Sequence, residues 1–420
     1  MPDYPLIADH GLVGDLQTAA LVATDGTIDW FCAPRFDSPS IFGALLDHAR
    51  GGHCRVRPTA SVVSTKQLYF PDTPILITRF MTEAGVGELI DFMPVSSDRV
   101  ASGDHRLIRI VRCVRGEMSF SAEVAPRLDY GRESHRPHQS AAGVLFEGGN
   151  GTSLTVSLIR DQDDERRARI HVDEDGDVHA EVTLVAGDTR GIALEAGAAG
   201  GPAGMPVAEA KRLFDETAAY WRTWLRRSTY TGRWREMVNR SAITLKLMTF
   251  APSGGLVAAP TAALPEQIGG ERNWDYGYTW VRDASFSVYS LLSIGFTEEA
   301  AALGQWLRDR VTEKAERNSG PPLDIMYRVD GSSDLTEETL EHWEGYRGSA
   351  PVRIAELWRF DAPTYSRHVG VPATQSRPPD VSSAAGLADA YRELGRALHE
   401  EELLGDLLAD LAAARAPEDG

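Results

Sequence analysis

A change of periodicity near residue 200 constrains this chain more than any other feature. Upstream, short β-rich runs recur between turn signals: ALVATDGTIDWF, HCRVRP, ILITRFMT, GELIDFMPV, LIRIVRCV, GTSLTVSLI and AEVTLVAG. No long helical pattern separates them, so the strands must hide their apolar faces against one another. Residues 1–200 therefore read as an antiparallel β-sandwich. Asp25–Gly26, between two such runs, predicts a tight hairpin. The stretch AGGPAGMP at 199–206 reads as a linker. From residue 207 apolar residues return at three- and four-residue intervals. VAEAKRLFDETAAYWRTWLRRS reads as a linker helix, and RWREMVNRSAITLKLMTF as the helix after it. A long loop over 252–279 follows, then helices over 281–294 and 297–316. The second of these opens at Thr297 with Glu298 and Glu299 in its first turn. A short helical piece is expected before GYRGSAPVRI. Asp380 would cap a last helix carrying Leu387, Tyr391, Leu394 and Leu398.

A chain of 420 residues with this grammar is multidomain. The divisions expected are 1–200, a linker and linker helix over 201–232, an all-α region over 233–354, and a tail over 355–420.

The formal net charge of −18 speaks against nucleic acid and anionic membrane as partners, because phosphate contacts require clustered Lys and Arg. A neutral ligand is unaffected by that charge, and a homo-oligomer stays open. Cys32, Cys54 and Cys113 are an odd set without metal-type spacing, which fits a reducing, cytoplasmic address. The N-terminus MPDYPLIADHGLVG has no basic segment before an apolar run, so no signal peptide is expected. No phosphate-binding glycine loop and no His/Cys zinc pattern occur, so neither cofactor nor metal is expected. The acidic run DEDGD at 173–177 lacks the spacing of a calcium loop and reads as a solvated turn.

The densest chemistry lies in ERNWDYGYTWVRDASF, residues 271–286. Tyr276, Tyr278 and Trp280 crowd the approach to Arg282 and Asp283. A sugar has C–H faces that stack on rings and hydroxyls that need fixed donors and acceptors. A carboxylate accepts hydroxyl protons, and a guanidinium donates through a planar fork. The alternative is a structural ion pair under a loop.

Two stretches carry a resemblance. YPLIADHGLVGDLQTAALVATDGTIDWFCAPRFDSPSIFGALLD resembles the N-terminal β domain of bacterial trehalase-like and glucoamylase-like proteins of glycoside hydrolase family 15. NWDYGYTWVRDASF, LDIMYRVDG and EHWEGYRGSAPVRI resemble the first part of that family's catalytic domain. The resemblance implies a sandwich, a linker helix and part of an (α/α)6 barrel. It implies a small carbohydrate substrate with a terminal α-glucosyl unit, trehalose or malto-oligosaccharide, cleaved with inversion. It places Arg282 and Asp283 on the hydroxyls of the terminal glucose, with Tyr276, Tyr278 and Trp280 as the wall.

Inverting hydrolysis needs two carboxyls, one protonating the leaving oxygen and one activating water, set roughly 6.5–9.5 Å apart. In the resembled family both lie in segments downstream of the Arg–Gly–Ser stretch, and neither segment has a counterpart here, so the catalytic residues are unassigned. After residue 354 the text diverges, as in a truncated or shifted reading frame. Asp330, Asp334, Glu337, Glu338, Glu341 and Glu344 read as a solvated acidic helix face. The alternative function is a catalytically inactive carbohydrate-binding or assembly protein, or a gene fragment.

Overall fold

A computed structural model describes residues 4–95, 105–161, 169–197, 200–317 and 323–355. Among these residues, fifteen strands between His10 and Ala196 form one connected antiparallel network, and four long helices follow. The helices are α1 (Val207–Leu225), α2 (Arg235–Leu247), α3 (Val281–Ser293) and α4 (Thr297–Arg317). A large N-terminal antiparallel sheet followed by a helical region is thus the observed order.

The network is folded about one twenty-residue strand, Arg106–Ala125. Its first half pairs with Gly85–Phe92 and Thr189–Ala196, and its second half with His53–Pro58 and Val178–Val185. The strand changes sheets at Gly116, where φ is +75° and an added Cβ would lie 2.1 Å from the Ala84 carbonyl oxygen. Only glycine tolerates that turn and that approach. The two halves face one another across a common core that includes Ile28, Val56, Phe80, Leu89, Val111, Phe120 and Phe146. The hairpin expected at Asp25–Gly26 is present: Gly26 is left-handed, and the Asp25 carboxylate accepts the Thr27 N–H at 2.9 Å.

Helix α1 bridges two environments because its apolar stripe changes partner along its length. Ala210, Leu213, Phe214 and Ala218 pack on Ile75, Ile77, Ile90 and Phe92 at the outer face of the sheet. One to two turns later Trp221, Trp224 and Leu225 enter a second core shared with α2, α3 and α4. Leu16, Ala19 and Phe36 of the sheet belong to that same core. Helices α3 and α4 form a hairpin closed at Ile294-Gly295-Phe296. Phe296 donates to the Leu291 carbonyl and Gly295, at φ +97°, to Leu292, the six-to-one and five-to-two bonds of a Schellman ending. Glu299 ties three helices: its Oε1 accepts Trp224 Nε1 at 2.7 Å and lies 2.8 Å from Lys246 Nζ.

Two readings of the sequence change here. No helix forms before GYRGSAPVRI; Glu338–Thr339 instead pair as strand with Arg353–Ile354. The carboxylates read as one acidic helix face disperse into separate contacts: Glu338 to Arg132, Glu337 to Arg353, Asp330 to Arg35 and Glu344 to the Tyr4 hydroxyl. The run DEDGD is a turn, but not a merely solvated one. Asp173 accepts the Asp175 and Asp177 N–H groups, and Asp177 holds Arg127 through two bonds of 2.7 and 2.9 Å. Helices expected beyond Asp380 lie outside the described residues.

Candidate functional site

The loop after α2 is held straight by its own backbone. Ala258 pairs with Tyr278, Ala259 with Tyr276, Ala263 with Trp274 and Glu266 with Arg272. Alternation along this extended stretch sorts NWDY into inward polar and outward aromatic residues. Asn273 is wholly buried, and its amide donates to the carbonyls of Gly270, Ser349 and Pro351 at 3.0–3.2 Å. Asp275, also buried, takes the Gly277 N–H on one oxygen at 2.9 Å and the Ala355 N–H on the other at 3.0 Å. Trp274 and Tyr276 point outward and stay half-buried.

Four of the five residues expected at the site come together. The Tyr276 and Trp280 rings lie 5.8 Å apart, tilted by 45°, and Trp280 Nε1 donates to the Asp275 carbonyl at 3.0 Å. Trp280 precedes α3, and Arg282 and Asp283 stand in that helix's first turn, joined Nη2 to Oδ2 at 3.1 Å. Their side chains are 48% and 31% exposed, so both retain free hydrogen-bonding capacity. A carboxylate in a helix's first turn also complements the dipole. Burial, and then the Glu266 and Asp283 carboxylates, push the Tyr276 hydroxyl above its ordinary range, so that hydroxyl lies within electrostatic reach of the ion pair.

Tyr278 is placed differently. Its ring is buried with Met326 and Leu335, under the Arg328 guanidinium at 5.8 Å. Burial and the nearby Asp275 carboxylate raise its hydroxyl well above the usual tyrosine range. It supports the wall from behind and does not face outward.

The arrangement is an open ledge among the described residues, not a closed hollow. The crevice behind it, between Trp30, Asp37, Tyr130, Asp275 and Tyr278, has no room for a water molecule. A separate concavity of about 290 Å3 lies between Arg55, Arg57, Glu123, His171 and His179, on a sheet face away from the core. Desolvation raises the Asp275 carboxyl to about 7, the range useful to a general acid. Its full burial and two backbone donors nevertheless keep it from any substrate. Glu266, at the ledge, is engaged by Trp274 Nε1 at 2.9 Å and Arg272 at 3.2 Å. His10 and His342 are structural: His10 meets Asp29 at 2.8 Å in the sandwich, and His342 meets the Tyr130 carbonyl at 2.8 Å. Among the described residues no group of His, Cys, Asp and Glu has the makings of a metal site, and no helix is long and apolar enough to cross a membrane. The three cysteines are free and buried.

Residues 3–186 match the family described as "Trehalase-like, N-terminal", and residues 232–359 match "Glycosyl hydrolases family 15". The chain thus carries a trehalase-like N-terminal region followed by a region of the family 15 glycosyl hydrolases. Among curated relatives, "Trehalase" of Mycolicibacterium smegmatis is 34% identical over 371 residues, covering 84% of this chain and 54% of that protein. "Trehalase" of Thermoplasma volcanium is likewise 34% identical, over 358 residues, with the same two coverages. The chain thus spans about half the length of the curated relatives it matches. A solved structure described as a kojibiose phosphorylase from human microbiome superposes with a TM-score of 0.44 at 10% identity, covering 76% of this chain and 49% of that one. The family 15 match takes in the whole ledge. Reading the sequence missed Asn273, Asp275 and Arg328, although the alternation in NWDYGY already marked positions 273 and 275 as inward.

Proposed function

We propose that this chain is a glycoside hydrolase-type protein that grips a terminal α-glucosyl unit, with trehalose the first candidate and malto-oligosaccharide the second. The observation that carries this reading is the exposed Arg282–Asp283 pair held in the first turn of α3 beside the Tyr276 and Trp280 rings. The rings offer faces for sugar C–H groups, the carboxylate accepts hydroxyl protons, and the guanidinium donates. The names of the matched relatives favour trehalose. On this reading 1–200 is the trehalase-like sandwich, 201–232 the linker and its helix, and 233–354 the opening hairpins of an (α/α)6 ring that works by inversion in the cytosol.

A second reading, sugar binding without turnover, is favoured by one observation. The carboxylates at the ledge, Glu266 and Asp283, are already engaged by Arg272 and Arg282, and Asp275 is out of reach. Calorimetric titration with trehalose and maltose, run beside a glucose-release assay, separates the two. Asp283→Ala is expected to weaken sugar binding by roughly tenfold or more, the scale of one charge-assisted hydrogen bond. Release lost together with binding supports the hydrolase; binding without release supports the second reading. Heat unchanged by either sugar would sink both.

A further inference from the structure

One buried carboxylate connects the sandwich to the ledge. Asp37 follows the strand Thr27–Cys32, and its side chain is completely buried. Arg35 grips it as a fork, Nε to Oδ1 at 2.8 Å and Nη2 to Oδ2 at 2.9 Å. From the helical side, the Val329 N–H donates to Asp37 Oδ2 at 3.3 Å. Arg328 Nη1 lies 3.8 Å from that same oxygen and donates to the Asp37 carbonyl at 3.4 Å. Arg35 closes the circuit by reaching Asp330 Oδ2 at 2.7 Å. Two guanidinium groups are thus balanced by two carboxylates, of which Asp37 is the buried one.

The circuit ends on the ledge. Arg328 lies over the Tyr278 ring, and Tyr278 shares its cluster with Met326, Leu335 and Trp280. Backbone pairing of Thr279 with Tyr327 and of Trp280 with Met326 joins that segment to the wall in strict register. A shift of residues 326–330 therefore moves Trp280. Without Asp37 the half-exposed Arg35 and Arg328 guanidinium groups would lose the buried carboxylate that draws them together, and Arg328 would lose its tie to the sandwich and its place over the tyrosine.

We infer that Asp37 is a positioning residue: through Arg328 and Tyr278 the sandwich sets the orientation of the aromatic wall. The inference rests on the sugar-ledge reading for its purpose, but its mechanism is tested separately. Asp37→Asn keeps the shape and removes the charge. Arg328→Gln alters the half-exposed partner and is the less disruptive of the two for folding. In the full chain, both variants are expected to speed amide hydrogen exchange over 275–283 and 326–330 by about tenfold or more while leaving 106–125 unchanged, as local loosening requires. Calorimetric affinity for trehalose or maltose is expected to fall on the order of tenfold, the scale of one charge-assisted hydrogen bond. A purely structural Asp37 would instead lower the melting temperature and leave the affinity of the folded protein intact, which overturns the inference. Unchanged exchange at 275–283 in folded variants overturns it as well. If the parent binds neither sugar, the sugar reading fails, and the exchange comparison still decides whether Asp37 orders the wall.

Discussion

The carboxyl of Asp275 lies out of water, with each oxygen taking one backbone N–H, and desolvation carries it from 3.8 to about 7. The sign of the consequence follows from which state holds the proton. Between those two values the folded chain keeps a proton that the unfolded chain has released. Stability from this group therefore falls as pH rises from about 4 to about 7, and the penalty is complete above it. The effect amounts to at most roughly 4 kcal/mol. Asp275→Asn places an amide donor opposite a backbone N–H and so costs stability at every pH. It is nevertheless expected to flatten the parent's decline in melting temperature across that window. Parallel slopes in the two proteins would refute the assignment. The same residue shows why a raised carboxyl is not yet a catalyst, since nothing outside the protein reaches it.

At the scale of elements, the sandwich is pinned through its middle by one ion pair. Arg109 meets Asp91 on the neighbouring strand at 2.7 Å and crosses the core to the carbonyls of Cys54 and Gly26 at 2.5 and 2.6 Å. Both side chains are fully buried. Asp91→Ala strands a guanidinium in the core and is expected to cost about 3–5 kcal/mol, read as a lower urea midpoint. The double replacement Asp91→Leu with Arg109→Met, which removes both charges, is expected to cost much less. Equal losses in the two proteins would mean that shape, not charge, sets the cost. The helices were more legible than these crossings. Spacing placed helices over 281–294 and 297–316, and the structure has Val281–Ser293 and Thr297–Arg317. It also suggested a helix before GYRGSAPVRI, where the chain instead pairs Glu338–Thr339 with Arg353–Ile354. Local acidic and polar spacing cannot foresee a strand partner that arrives from fifteen residues downstream.

Across the whole molecule, sheet and helices do not own separate cores. Leu16, Ala19 and Phe36 lie among Trp224, Ile243, Leu247, Val288 and Leu303. Helix α1 covers the sheet with one stretch and enters the helical core with the next. Residues 200–355 expressed alone are therefore expected to show no cooperative thermal transition, because that core loses a wall. Phe36→Ala in the full chain is expected to cost about 3–5 kcal/mol. A sharp, independent melting step for the isolated 200–355 segment would contradict the shared core.

The order of strands and helices, the Asp25–Gly26 hairpin and the aromatic approach to Arg282–Asp283 were all legible in the sequence. Each depends on periodicity or on residues close together in the chain, where sterics and side-chain chemistry act locally. Only the tertiary structure decided that Tyr278 turns inward beneath Arg328, that Asp275 is sealed by Ala355, and that Asp37 balances two guanidinium groups across the seam. Those outcomes depend on desolvation and on partners tens to hundreds of residues away, and burial is a property of the packed whole.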